Sequence, residues 1–118
     1  MAENTLGVTT RHGELPRRAE SGDETTCDVR DYPQDVSPWG CRHMAGIVSE
    51  WCEDWYDPAA YERHKLGDLS GSASGSRRVI RGGAWYFEYE IHFRCDERDS
   101  RAADCRSDFL GFRCALDP

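Results

Sequence analysis

The stretch RVIRGGAWYFEYEIHFRC, residues 78–95, sets two adjacent glycines, Gly82 and Gly83, directly before a dense run of aromatic surface. From Arg77 onward the pattern is that of a strand. Trp85, Phe87, Tyr89, Ile91 and Phe93 occupy one parity, while Tyr86, Glu88, Glu90, His92 and Arg94 occupy the other. Period two over residues 85–94 predicts a half-buried strand or two consecutive short ones. On the polar parity Glu88, Glu90 and His92 would share a strand face, which makes His92 a metal-ligand candidate; with no second histidine near it in sequence, solvation is the simpler expectation.

Upstream of that stretch, GIVSEWCEDWYDPAAYERHKL carries Val48, Trp51, Cys52 and Trp55 at three- and four-residue steps. That spacing predicts a helix ending before Pro58, with a second helical turn over 58–65. Glu50, Glu53, Asp54 and Asp57 fall on the complementary face, either as a solvated acidic surface or as a cation site. The Gly/Ser-rich run GDLSGSASGS, 67–76, reads as a flexible loop. Downstream, ERDSRAADCRSD reads as a charged connector, and FLGFRCAL as a short apolar strand with a close backbone approach or bulge at Gly111. Residues 1–31 are polar, with scattered apolar positions and no period, and read as a loosely ordered leader to a domain over 32–118. DYPQDVSPWG, 31–40, is turn-rich because Pro33 and Pro38 push their preceding residues toward extended backbone.

With 118 residues the chain has room for one small domain. A mean hydropathy of −0.78 allows only a modest core. A net charge of −7 opposes sequence-independent nucleic-acid binding, which needs clustered Lys and Arg. No window is apolar enough to span a membrane. The start, MAENTLGVTTRHGEL, has no basic head followed by an apolar run, so a cytoplasmic location is expected if Met1 is the true start. The six cysteines, Cys27, Cys41, Cys52, Cys95, Cys105 and Cys114, contain no CxxC pair, which removes the usual structural-zinc spacing. Buried thiols or disulfides both remain open, depending on compartment.

DVSPWGCRHMAGIVSEWCEDWYD, RVIRGGAW, FRCDERDS and LGFRCAL together, in this order, resemble the C-terminal part of the sulfatase-modifying-factor domain, the formylglycine-generating enzyme family, of bacterial type. The resemblance implies an α+β fold, an irregular C-type-lectin-like domain with short strands and much loop, of which this chain holds a truncated, C-terminal portion. It implies that Gly82 and Gly83 let the backbone pass between packed aromatic groups where a Cβ would clash. It also cuts against the periodicities: the family breaks the run after RGGAW with a loop, and its equivalent of EWCEDWY is more extended than helical. Trp85, Arg94, Arg98, Gly111 and Arg113 become structural positions, the arginines pairing with the acidic EWCEDWYD segment or, alternatively, with a carboxylate or peptide ligand. Trp39, Trp51, Trp55 and Trp85 are expected as core anchors.

Oxidising members of the family use a cysteine pair shortly after the glycines to hold copper, which suits soft thiolates. Here the residues between Gly83 and Cys95 are AWYFEYEIHFR, with no cysteine, so copper-dependent oxidation by this chain is not expected. The resemblance places calcium at Gly46 and Val48, through their carbonyls, and at Glu50, through its side chain. His43 stands where Asp or Asn is usual, and Ile47 where Asn is usual, which removes an oxygen ligand and lowers the expected affinity. The function these features point to is a binding module without catalysis, or a partial domain, with Tyr86, Glu88, Glu90 and His92 facing a protein or small-molecule ligand. The alternative is part of a formylglycine-generating-type oxidoreductase acting on protein cysteine, its remaining active-site residues supplied by an upstream region or partner chain.

Overall fold

The structure is a computed structural model that describes residues 26–116. Of the expected leader only 26–31 falls inside that range, and there a turn is closed by the Asp31 N–H donating to the Asp28 carbonyl at 2.9 Å. The elements in chain order are β1 (Ser49–Trp55), α1 (Ala60–Lys65), β2 (Arg77–Arg81), a 3₁₀ turn (Glu90–Phe93), β3 (Asp99–Ala102) and β4 (Leu110–Gly111). They form one four-stranded sheet in the order β3-β2-β1-β4. β2 pairs antiparallel with both β1 and β3, while β1 and β4 run parallel. A mixed sheet with a single six-residue helix is an α+β arrangement.

The helix predicted before Pro58 is a strand. β1 aligns Glu50 with Arg81 and Trp51 with Ile80, then shifts register so that Trp55 faces Arg78. The misleading three- and four-residue steps run across this register shift between Trp51 and Trp55. Pairing to β2 on one side and β4 on the other outweighs the local period. Helix begins only after Pro58, at Ala60, where the Asp57 carboxylate accepts the Ala59 N–H at 2.8 Å.

The strand predicted over 85–94 is likewise not one. β2 ends at Arg81, and the chain turns through Gly82 at φ +93° and Gly83 at φ +65°. The Phe87 N–H then donates to the Ala84 carbonyl at 2.9 Å, and the 3₁₀ turn follows. Both glycines are required. A Cβ on Gly82 would lie 2.8 Å from the Met44 carbonyl oxygen, and one on Gly83 2.7 Å from Phe93 Cδ1. The connector expected at 97–108 contains β3, a polar edge strand whose Ser100 is buried beside Val79 of β2. β4 is only two residues long, and Gly111 meets β1 closely: its Cβ would stand 2.9 Å from Val48 Cγ2.

The core is small, as the hydropathy requires. Val79, Ile80, Ala84 and Phe93 are buried, with Ala45 and Ala60 beside them. Trp51, Trp55 and Trp85 are half-buried, but Trp39, expected as a core anchor, is 79% exposed. The 67–76 loop is tied back at Trp55, which bridges to Ser72 and packs against Gly75.

Candidate functional site

Two clusters flank the end of β2 where the paired glycines turn the chain. The first gathers the aromatic residues of 85–93 against Phe109, which precedes β4. The rings of Tyr86 and Phe109 stack with centroids 5.9 Å apart and planes 18° from parallel. Phe87 stacks on His92 at 4.4 Å and meets Phe109 edge-on at 6.1 Å. Tyr86 is 62% exposed and Tyr89 69%, so this cluster presents aromatic surface outward. His92 is half-buried against Phe87, and its N–H donates to the Tyr89 carbonyl at 3.1 Å. Tyr86 and His92 therefore come together around Phe87. Glu88, Glu90 and His92 do not share a strand face, because residues 88–89 are loop and 90–93 are 3₁₀ turn; both carboxylates are exposed.

The second cluster holds the residues named for calcium. The Gly46 N–H donates to the Gly82 carbonyl at 3.0 Å and the Trp85 N–H to the Ile47 carbonyl at 3.2 Å, which stitches this loop to the glycine turn. Glu50, on β1, gives both carboxylate oxygens to Arg113, at 2.6 Å from Nε and 2.6 Å from Nη2. The same guanidinium donates to the carbonyls of Arg42 at 2.8 Å and His43 at 2.7 Å. The Glu50 carboxylate is thus bridged by a guanidinium, a fixed positive charge at the side chain named for calcium. No group of three or more His, Cys, Asp or Glu among the described residues is arranged to hold a metal ion.

His43 sits at φ +53°, held by its N–H on the Asp35 carbonyl at 3.2 Å and by ring Nε2 against the Val29 carbonyl at 2.9 Å. Its Nδ1 lies 3.6 Å from Asp35 Oδ2, and neither Nδ1 nor Asp35 Oδ1 has a hydrogen-bond partner although both are buried. Burial pushes the Asp35 carboxyl above its ordinary pKa, and the nearby His43 and Arg113 only partly oppose that.

The three arginines divide. Arg113 takes the acidic segment through Glu50. Arg98 donates to the Asp57 carbonyl at 3.1 Å and lies 4.2 Å over the Tyr61 ring, a cation–π contact. Arg94 pairs with Asp96 at 2.6 Å in solvent, away from that segment. Sequence reasoning missed Arg81, which donates to the carbonyls of Cys95 at 2.6 Å and Glu97 at 3.2 Å and so fixes the FRCDER loop. It also missed Phe109 as the platform under Tyr86; only its position next to LGFR would have signalled it. Burial raises the pKa of Cys52 and Cys27.

The sequence pattern of the sulfatase-modifying factor enzyme 1-like domain matches residues 3–118, reaching into the stretch expected as a leader. A formylglycine-generating enzyme of Streptomyces coelicolor is 38% identical over 102 residues, covering 84% of this chain and 32% of that protein. A protein named serine/threonine-protein kinase pkn1, from Chlamydia caviae, is 39% identical over 92 residues, covering 76% of this chain and 14% of its own. A hercynine oxygenase of Mycolicibacterium smegmatis is 38% identical over 63 residues, 48% of this chain and 15% of its own length. The chain belongs to the sulfatase-modifying factor enzyme 1-like domain family. It spans about a third or less of these relatives' lengths.

Proposed function

We propose that this chain is a binding module without catalysis, or a partial domain, of a C-type-lectin-like fold, and that it recognises a protein or small-molecule ligand through the aromatic surface beyond Gly83. The observation that carries this reading is the stack of Tyr86 on Phe109, which leaves Tyr86 62% exposed. Exposed rings held by neighbouring rings lose little freedom on binding and offer large contact area. Tyr86, Glu88, Glu90 and His92 form the ligand-facing set. The missing cysteine pair supports the same reading, because the segment between Gly83 and Cys95 offers no thiolate to a soft metal.

Backbone chemical-shift mapping with acidic, basic and aromatic tripeptides tests it. Saturable shifts centred on Tyr86, Tyr89 and His92 for one class are expected. Saturable shifts confined to α1 or β3 would contradict it. The relative named formylglycine-generating enzyme favours a second reading, in which this chain is one part of an oxidoreductase whose remaining active-site groups lie elsewhere.

A further inference from the structure

The group that a bound cation would need most, the Glu50 carboxylate, is already saturated by a positive charge of the protein's own. Arg113 lies two residues beyond β4 and reaches Glu50 on β1 and the carbonyls of Arg42 and His43 in the preceding loop. A guanidinium carries five N–H donors in a rigid planar fork, and here Nε, Nη1 and Nη2 all find oxygen. The Glu50 bonds are bidentate, the geometry that gives such pairs their strength and direction. The pairing holds the Arg113 pKa above that of an ordinary arginine. Calcium takes ~6–8 oxygens and would sit beside the fixed guanidinium charge if it tried to share Glu50.

We propose that Arg113 is a built-in cation that clamps the chain end to β1 and to the 42–43 loop, so that this part of the fold is held without calcium. The clamp joins segments far apart in sequence: the chain after β4, the strand β1 and the loop whose His43 adopts a positive φ. The proposal does not depend on which ligand, if any, the aromatic surface takes.

Thermal unfolding of the full chain tests it, with calcium chloride in one arm and EGTA in the other. The wild type is expected to melt at the same temperature in both. Arg113→Ala is expected to melt several degrees lower, since a small domain's midpoint moves by about 4–8 °C for each kcal/mol lost. Should that variant fail to fold, Arg113→Lys reads the same quantity: it keeps the charge but cannot bridge both carboxylate oxygens and both carbonyls, so it too must melt below wild type. A saturable calcium-dependent rise in the wild type that Glu50→Gln abolishes would overturn the proposal. So would an Arg113→Lys midpoint equal to wild type.

Discussion

An added methyl at Gly83 would stand 2.7 Å from Phe93 Cδ1 and 2.8 Å from the His92 carbonyl oxygen, in a backbone with φ +65°. Strain at a left-handed position and overpacking against a buried ring each cost on the order of 1–3 kcal/mol. Gly83→Ala should therefore lower stability by roughly 2–4 kcal/mol in a denaturant titration, a large share of the ~5–15 kcal/mol of a typical domain. A loss below half a kcal/mol would mean the turn is not held as described. The need for both glycines was legible only through the family resemblance, which implies backbone passing between packed aromatic groups. Asp35 was not legible: its burial comes from the fold around His43, and no local pattern announces it. Its carboxyl is raised above the ordinary 3.8, mainly by desolvation. A raised folded pKa gives stability that is full below the unfolded value and is lost as pH rises through the folded value. Asp35→Asn should thus raise the melting temperature at pH 7, with the gain shrinking toward pH 3.5. A lower midpoint for Asp35→Asn at pH 7 would show that the charged form is favoured there.

Among the elements, β2 carries the most. Its Ile80 is 1% exposed and faces Trp51 of β1 and Asp99 of β3 across the sheet. Ile80→Ala removes methylene contacts and leaves a cavity that the neighbouring strands close only partly, at a cost of about 2–5 kcal/mol. Equilibrium unfolding in urea checks this, and a cost under 1 kcal/mol would place β2 outside the core. The start of β2 at Arg77 was readable, since RRVIR opens the change to strand pattern. The rest of the sheet was not, for separate physical reasons. β1 imitates a helix because its large residues recur at three- and four-residue steps across a register shift. The 85–94 run imitates a strand, but the glycine turn carries it away from the sheet edge and its rings pack on one another and on Phe109. β3 has no apolar alternation to notice: it is an edge strand held by pairing and by Arg77, which donates to Ser100 Oγ at 2.9 Å. The family resemblance anticipated both the extended EWCEDWY and the break after RGGAW, because it carries long-range pairing that local periodicity lacks.

For the molecule as a whole, the described residues bury little apolar surface and present an aromatic face. Phe112 is 76% exposed on the chain leaving β4. Because Tyr86 is mostly in solvent, Tyr86→Ala should change the unfolding free energy by no more than about 0.5 kcal/mol, as exposed substitutions do, while abolishing any tripeptide shifts at His92. A large stability loss would make Tyr86 a packing residue and not a contact one. The candidate site was legible as a list of residues; its shape was not, since Phe109 lies far along the chain from Tyr86 and only folding brings them together. The central claim is that the segment between Gly83 and Cys95 holds no cysteine pair to grip a soft metal, so that the role proposed for this chain rests on surface recognition. Incubating the chain with Cu(I), oxygen and a cysteinyl peptide derived from a sulfatase, then reading aldehyde by mass spectrometry, tests it most directly: unchanged peptide is the predicted result, and repeated conversion of cysteine to formylglycine would contradict it.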